Sequence, residues 1–158
     1  MNLSKLLIGA FVFIGGVMPV AAHQAKYTAP LLGSNEVPIA ATPATGTVLV
    51  TIDFDLVTMR VEASFSDLLG NVTAAHIHCC TATPEAGTAG VATQVPNFVG
   101  FPLGVTAGAY DFTFDLSSAT SWNLAFITAN GGSTCKIIRK LLFLLVICLL
   151  TARRCRGE

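Results

Sequence analysis

The sequence predicts an all-β domain, built as a two-sheet antiparallel sandwich with Greek-key, immunoglobulin-like connections. Three stretches alternate apolar and polar residues with a period of two, which is typical of strands that bury one face. The segments between them are rich in Gly, Pro, Thr and Ala, and no amphipathic helix pattern occurs before residue 130. Strands, turns and loops therefore account for the whole domain.

The first two strands are predicted in "TVLVTIDF" (47–54) and "VTMRVEASFS" (57–66). Every second residue in each is apolar, so each presents one face to a core. Asp55 and Leu56 between them predict a tight turn, which makes the pair a hairpin. A third strand is predicted in "YDFTFDL", with an apolar face and a polar face made, respectively, of Tyr110, Phe112, Phe114, Leu116 and of Asp111, Thr113, Asp115.

Two long connections carry repeated helix and strand breakers, namely "GSNEVPIAATPATG" (33–46) and "TPEAGTAGVATQVPNFVGFPLGVTAG" (83–108). The second is long for a connection inside a compact domain. Segments of that size contain a short strand of their own or serve a function. We therefore expect an irregular edge or a functional loop there.

Charge divides the chain into three parts: residues 1–22, a domain over 23–132, and a tail over 133–158. From residue 23 to 135 there are two basic and eight acidic residues, a net charge of −6. From 136 to 158 there are six basic residues and one acidic residue, a net charge of +5. The acidic domain argues against nucleic acid as a partner.

Residues 1–22 have the pattern of a secretory signal peptide, with Lys5, the apolar run "LLIGAFVFIGGV", a breaking Pro19 and the small residues "VAA". Cleavage after Ala22 would leave His23 as the new N-terminus, and an uncleaved membrane anchor is the alternative. Either outcome predicts an exported protein that is extracellular, periplasmic or membrane-associated. Its cysteines would then lie in an oxidising compartment.

The candidate site lies in "NVTAAHIHCCTATPEAGTAG" (71–90). On a strand that begins at Val72, His76 and His78 point to the same side, about 6–7 Å apart along the strand. Two such imidazoles can converge on copper or zinc, and a thiolate from Cys79 or Cys80 would suit copper(I) or zinc. A tight site needs more ligands, for which Asp111 and Asp115 are candidates by residue type alone.

The alternatives for these residues stay open. The histidines can be structural, hydrogen-bonding to the long loop at a strand end, or can sense pH. Cys79 and Cys80 can be buried or loop thiols, metal ligands, or partners in an intermolecular disulfide. A bridge between the two is disfavoured, because the Cα separation of about 3.8 Å across a trans peptide is below the usual disulfide range. Nothing marks a catalytic triad, so no enzyme is predicted.

The domain resembles the CHRD domain, a module named after its occurrence in chordin, and in particular a bacterial exported subgroup. The resemblance rests on "LLGSNEVP" (31–38), "TPATG" (42–46) and "AAHIH" (74–78), followed by "HCCTATPEAGTAGVAT", "GFPLGVTAGAYDFTFDL" and "SWNLAFITANGG". It extends from about Tyr27 to Gly132. It implies an exported β-sandwich module of the cell envelope or extracellular matrix, a family to which no enzymatic activity is securely attached. No cofactor is predicted, apart from the copper or zinc of the alternative interpretation.

The resemblance ends after Gly132, where such domains continue with a small-residue helix and a closing strand. The chain instead reads "STCKIIRKLLFLLVICLLTARRCRGE". A frameshift or truncation is one explanation, and a short membrane segment through residues 137–152 is another. The 12 apolar residues "LLFLLVICLLTA" would form an apolar helix of about 18 Å, against about 30 Å of hydrocarbon. A basic surface helix is a third explanation.

These observations favour a non-catalytic exported module that binds an unknown protein or matrix partner. The alternative is a copper- or zinc-binding protein that uses His76, His78, Cys79 and Cys80. A sandwich without its closing strand would expose an apolar face and unpaired strand edges, so we also expect this chain to fold poorly or aggregate unless the tail covers them.

Overall fold

A computed structural model of the chain describes residues 23–81 and 87–138. The predicted signal peptide (1–22) and the predicted apolar helix of the tail, which begins at residue 141, lie outside these residues. Within the two described ranges no helix is both long and apolar enough to cross a membrane.

Four strands form one antiparallel sheet, and the all-β class predicted from the sequence is confirmed. Helical structure among the described residues is limited to two short 3-10 turns (Gly33–Asn35 and Ala119–Ser121), one short helix, and residues 134–138. The strands and the helix are β1 (Gln24–Leu32), β2 (Thr45–Asp53), β3 (Thr58–Ser66), β4 (Gly108–Asp115) and α1 (Leu124–Ala129).

The connections differ from the predicted Greek key. The strands lie in the order β1-β2-β3-β4, so that every strand of the described sheet neighbours the one before it in sequence. In place of a second regular sheet, residues 67–81 and 87–107 form an irregular layer over one face. Its isolated bridges join His78 to Val91 and Thr93 to Trp122. Repeated Pro and Gly in this segment interrupt a continuous ladder of hydrogen bonds, which is why the layer stays irregular.

Strand β1 was not predicted, because "QAKYTAPLL" does not alternate and contains Pro30. The structure shows why the proline is tolerated. The His23 carbonyl accepts from the Phe54 amide at 2.9 Å, and this bond sets the phase of the ladder. In that phase residues 25, 27, 29 and 31 face β2 and Pro30 faces away from it. Pro30 therefore lacks only an N–H that would have pointed outward.

The core lies on the face of the sheet that the irregular layer covers. Val61 and Phe114 are each 2% exposed, and Phe98 of the layer is 3% exposed. The ring of Phe98 lies 5.0 Å from that of Phe114 and 5.8 Å from that of Tyr110, centroid to centroid. Burying one such side chain stabilises the fold by about 1.5–3 kcal/mol, so these aromatic contacts are what hold the layer on the sheet.

The cover is incomplete toward β1. Tyr27 and Leu31 point to the same face as the core, yet they are 49% and 42% exposed. On β4, Phe112 was predicted on the buried face and is 37% exposed. Among the described residues, the apolar face of the sheet is therefore less covered toward β1 than over its centre.

The turn between β2 and β3 forms where it was predicted, as a four-residue loop over residues 54–57. Asp53, which is 8% exposed, accepts hydrogen bonds from the amides of Leu56 at 2.8 Å and Asp55 at 3.0 Å and from the Gln24 side-chain amide at 2.8 Å. These bonds, led by that from Leu56, hold the pKa of Asp53 below its ordinary value. The carboxylate thereby fixes the turn and ties β1 to it.

The opposite face of the sheet is polar and exposed. Arg60 of β3 donates two hydrogen bonds to Asp111 of β4, from Nε at 2.8 Å and from Nη2 at 2.6 Å. This pairing lowers the pKa of Asp111, because the hydrogen bonds and the positive charge favour its ionised form. Hydroxyl pairs such as Thr47–Ser64, 3.1 Å apart, continue the polar face between β2 and β3.

Candidate functional site

The segment that carries the two histidines is extended but is not the regular strand that was predicted from Val72. Only His78 takes part in a bridge. Val72 exchanges hydrogen bonds with the segment 104–105, and Phe98 donates to the Ala75 carbonyl at 3.0 Å. Further bonds join Ile77 and Cys79 to the segment 90–93, so that within the described residues the segment is fixed by short groups of bonds to irregular chain and not by a continuous ladder.

The alternation of side chains nevertheless holds. Ala75 and Ile77 pack against the core, while His76 and His78 lie on the other side. Their ring centroids are 6.3 Å apart and the ring planes are nearly perpendicular, at 84°. This is the shared side that the period of two predicts. The two imidazoles are therefore neighbours at the surface of the irregular layer.

Each histidine ring is oriented by a backbone carbonyl. Nε2 of His76 lies 2.7 Å from the Pro96 carbonyl oxygen, and Nδ1 of His78 lies 2.8 Å from that of Ala89. A carbonyl oxygen only accepts, so both of these ring nitrogens must carry their protons. In the neutral rings the lone pairs are then on Nδ1 of His76 and on Nε2 of His78. A carbonyl that fixes the tautomer in this way is the usual second partner of a metal-binding histidine.

Thr93 holds this segment in place, a role that was not predicted from the sequence. Its hydroxyl oxygen accepts a hydrogen bond from the Ile77 amide at 2.9 Å, between the two histidines, and the residue is 2% exposed. The Thr93 backbone also bridges to Trp122. A threonine in a Gly- and Pro-rich loop has no signature in sequence, because its role depends on a contact across 16 residues.

Cys79 and Cys80 are joined by a disulfide, which corrects the expectation that they are poor partners for each other. That expectation assumed a trans peptide bond. The bond between them is cis, and it brings their Cα atoms to 3.0 Å. Cys135 is disulfide-bonded as well. The role of Cys79 and Cys80 as thiolate ligands stays a prediction, and it requires the reduced form of the pair.

The carboxylates considered as further ligands lie elsewhere. Asp111 and Asp115 are on the polar face of β4, across the sheet from the layer that carries the histidines. Asp111 is bound to Arg60, and Asp115 accepts from the backbone and side chain of Ser117. Over residues 23–81 and 87–138 no group of three His, Cys, Asp or Glu side chains is placed to hold a metal ion. The described site therefore offers two imidazole nitrogens.

Comparison with known proteins identifies the family of the domain. The family model of the CHRD domain matches residues 27–130, well over half of the 158-residue chain. No curated protein and no solved structure matches the chain. The matched region contains α1 and the irregular layer. It also contains the four-stranded sheet, apart from the first residues of β1.

Proposed function

Because the chain belongs to the CHRD domain family, we propose that it is a non-catalytic exported module that binds or scaffolds a protein or matrix component of the cell envelope. The family match carries this proposal, since CHRD domains are typically extracellular. The signal-like residues 1–22 and the acidic charge of the domain support it, and the same charge disfavours nucleic acid. Residues 137–152 would allow an additional attachment to a membrane.

Export is tested by expressing the full chain in an exporting bacterial host and sequencing the N-terminus of the product. We expect the chain to begin at His23 and to be degraded by protease added outside the cells. Ala22→Leu should block cleavage, because the signal peptidase requires a small residue there. Ala21→Leu, one position earlier, is the matched control and should be cleaved normally. An intact chain that stays in the cytosol would count against the proposal.

Binding is tested by mixing the purified protein with isolated envelope or matrix material and measuring the amount that sediments. We expect saturable retention. Val61→Asp is the control, because it places a charge at a core position that is 2% exposed and disrupts the sheet that presents any binding surface. Retention that never saturates, or that is equal for this variant, would show nonspecific adsorption and contradict a binding module.

A second candidate function, copper or zinc binding, is favoured by the orientation of the two histidine rings. The bonds to Pro96 and Ala89 leave one lone pair on each of two neighbouring rings. Reduction of the Cys79–Cys80 disulfide would add thiolates directly after His78. The site would then contain the four residues His76, His78, Cys79 and Cys80, a set that suits zinc or copper(I).

The metal candidate is tested by metal analysis of protein purified without chelator, with and without reductant. We expect about one copper or zinc per chain, bound more tightly after reduction, and lost in the double variant His76→Ala/His78→Ala. His23→Ala is the matched control, because it removes the third histidine of the chain, which lies beside Asp55 at the hairpin. Cys79→Ser/Cys80→Ser should abolish only the increase in metal affinity that reduction causes. Metal content that is unchanged in the double histidine variant would reject this candidate.

A further inference from the structure

The two edges of the sheet are protected very differently. On β1 the residues whose backbone groups face away from β2 are those at even positions from 24 to 32. This outward row contains Lys26 and Pro30, and proline removes a donor from it. A charged lysine and a proline are the features by which natural edge strands avoid pairing with another chain. The β1 edge is therefore protected against pairing with a strand of another chain.

The β4 edge is less protected, since the charges in its outward row are the carboxylates of Asp111 and Asp115 and no proline interrupts it. The Leu116 amide donates to the Val57 carbonyl at 3.0 Å, which sets the phase of the β3–β4 ladder. In that phase residues 110, 112 and 114 face β3, so the backbone groups of Asp111 and Thr113 face outward. In the part of the chain that the structure describes, no hydrogen bond to the backbone N–H or C=O of these two residues is formed. Strand β4 contains neither lysine nor proline.

An exposed aromatic ring lies between these outward groups. Phe112 is 37% exposed, although its neighbours on the same face, Tyr110 and Phe114, are 8% and 2% exposed. Its ring is 6.3 Å from that of Tyr110 and 4.8 Å from that of Phe114, centroid to centroid. The edge thus presents an apolar ring beside unpaired backbone groups, and both would be covered by one added strand.

We propose that the β4 edge binds a second copy of this chain, with the two β4 strands antiparallel about a two-fold axis at Phe112. Asp111 of each copy then exchanges backbone hydrogen bonds with Thr113 of the other. The two Phe112 rings face each other as a non-hydrogen-bonded pair, in which side chains approach most closely. The result is one continuous eight-stranded sheet across the dimer.

Charge excludes two of the symmetric registers of this edge, and the exposed ring of Phe112 selects the register with the axis at Phe112 among the others, because Tyr110 and Phe114 are already buried. An axis at Asp111 would place two carboxylates directly opposite each other, and an axis at Thr113 would oppose Asp111 to Asp115. Like charges in opposed positions are destabilising. With the axis at Phe112, each Asp111 is opposite a threonine. A second copy thus matches this edge in backbone hydrogen bonding, covers the exposed Phe112 ring and places no two carboxylates directly opposite each other.

The pairing involves about five residues per copy, so it buries less surface than a stable interface of about 1,200–2,000 Å². We therefore expect a reversible dimer whose fraction rises with protein concentration.

Analytical ultracentrifugation of the full chain over a concentration series tests the proposal. Thr113→Pro removes one of the outward backbone donors of β4 from each copy and should weaken dimerisation by about 10- to 100-fold. Thr28→Pro is the matched control, because Thr28 occupies an outward position of β1. It should leave the dimer unchanged. Circular dichroism should show that both variants keep the sheet.

Phe112→Lys provides a second variant that decides the question if Thr113→Pro fails to fold. It places two positive charges opposite each other at the axis and should abolish the dimer, while its exposed position spares the core. A wild-type chain that is monomeric at every concentration would overturn the proposal. So would dimers that Thr28→Pro removes and Thr113→Pro leaves intact, or larger assemblies that neither β4 variant affects.

Discussion

The hydroxyl group of Thr93 is predicted to hold the histidine segment on the domain, and Thr93→Val tests this directly. The substitution keeps the volume of the side chain and removes only the oxygen that accepts from the Ile77 amide at 2.9 Å. Thr93 is 2% exposed, so water cannot easily replace it. A buried donor left without a partner costs about 1–3 kcal/mol. For a domain of about 100 residues, each kcal/mol lowers the melting temperature by about 4–8 °C.

Thr93→Ser is the matched control, because it keeps the hydroxyl and removes a methyl group. It should cost about 1 kcal/mol through the lost apolar contact. Amide hydrogen exchange separates the two effects. The Ile77 amide should remain protected in Thr93→Ser and should exchange much faster in Thr93→Val.

The same substitution should loosen the two histidine rings, since Ile77 lies between them in sequence. NMR of the imidazole protons should show Nε2–H of His76 and Nδ1–H of His78 in the wild type, and faster exchange of both in Thr93→Val. The assigned role of Thr93 is wrong if Thr93→Val melts within about 1 °C of the wild type and the Ile77 amide stays protected from exchange.

Three further predictions concern stability. Because the pKa of Asp53 is lowered in the folded chain, its carboxylate stabilises the fold above the ordinary pKa of 3.8, and this stabilisation is lost as the pH falls below that value. The urea midpoint of unfolding should therefore drop in acid, and Asp53→Asn should reduce that pH dependence. Burial raises the pKa of Tyr110 to about 12, so its contribution is fully present below pH 10 and is lost as the pH rises through about 12; Tyr110→Phe should remove this alkaline loss. Gly46→Ala should cost about 1–3 kcal/mol, because the new Cβ would lie 2.5 Å from a backbone oxygen of β3, whereas Gly90→Ala, with nothing within 4 Å, should be nearly neutral in thermal melts.

The strands that were predicted from the sequence are those in which burial of one face requires alternating apolar and polar residues. Strands β2 and β3 lie inside the sheet with one face on the core, so every second residue must be apolar, and the alternation marks them. The edge strand β4 also alternates, because Tyr110 and Phe114 are buried in the core, whereas the edge strand β1 has Tyr27 half exposed and its sequence does not alternate. The meander order was not predicted, because strand order depends on contacts between distant segments that no single sequence records.

The candidate site was predicted in part for the same reason. The shared side of His76 and His78 follows from backbone geometry alone, which is a local property. Their carbonyl partners, Pro96 and Ala89, come from a loop 11 to 20 residues away and could not be read from residue type. The exposure of Phe112 was missed because alternation shows which face a side chain points to, but not whether that face is covered at the edge.

Trp122 gives the molecule an intrinsic optical reporter of how the irregular layer sits on the sheet. It is the single tryptophan of the chain, its Nε1 donates to the Leu116 carbonyl at 2.9 Å, and its ring packs against the core beside the bridge to Thr93. Detachment of the layer would move this indole into water and shift its fluorescence to longer wavelength, even if the four strands stayed paired. Emission and far-ultraviolet dichroism that change at different denaturant concentrations would then show two separately cooperative parts.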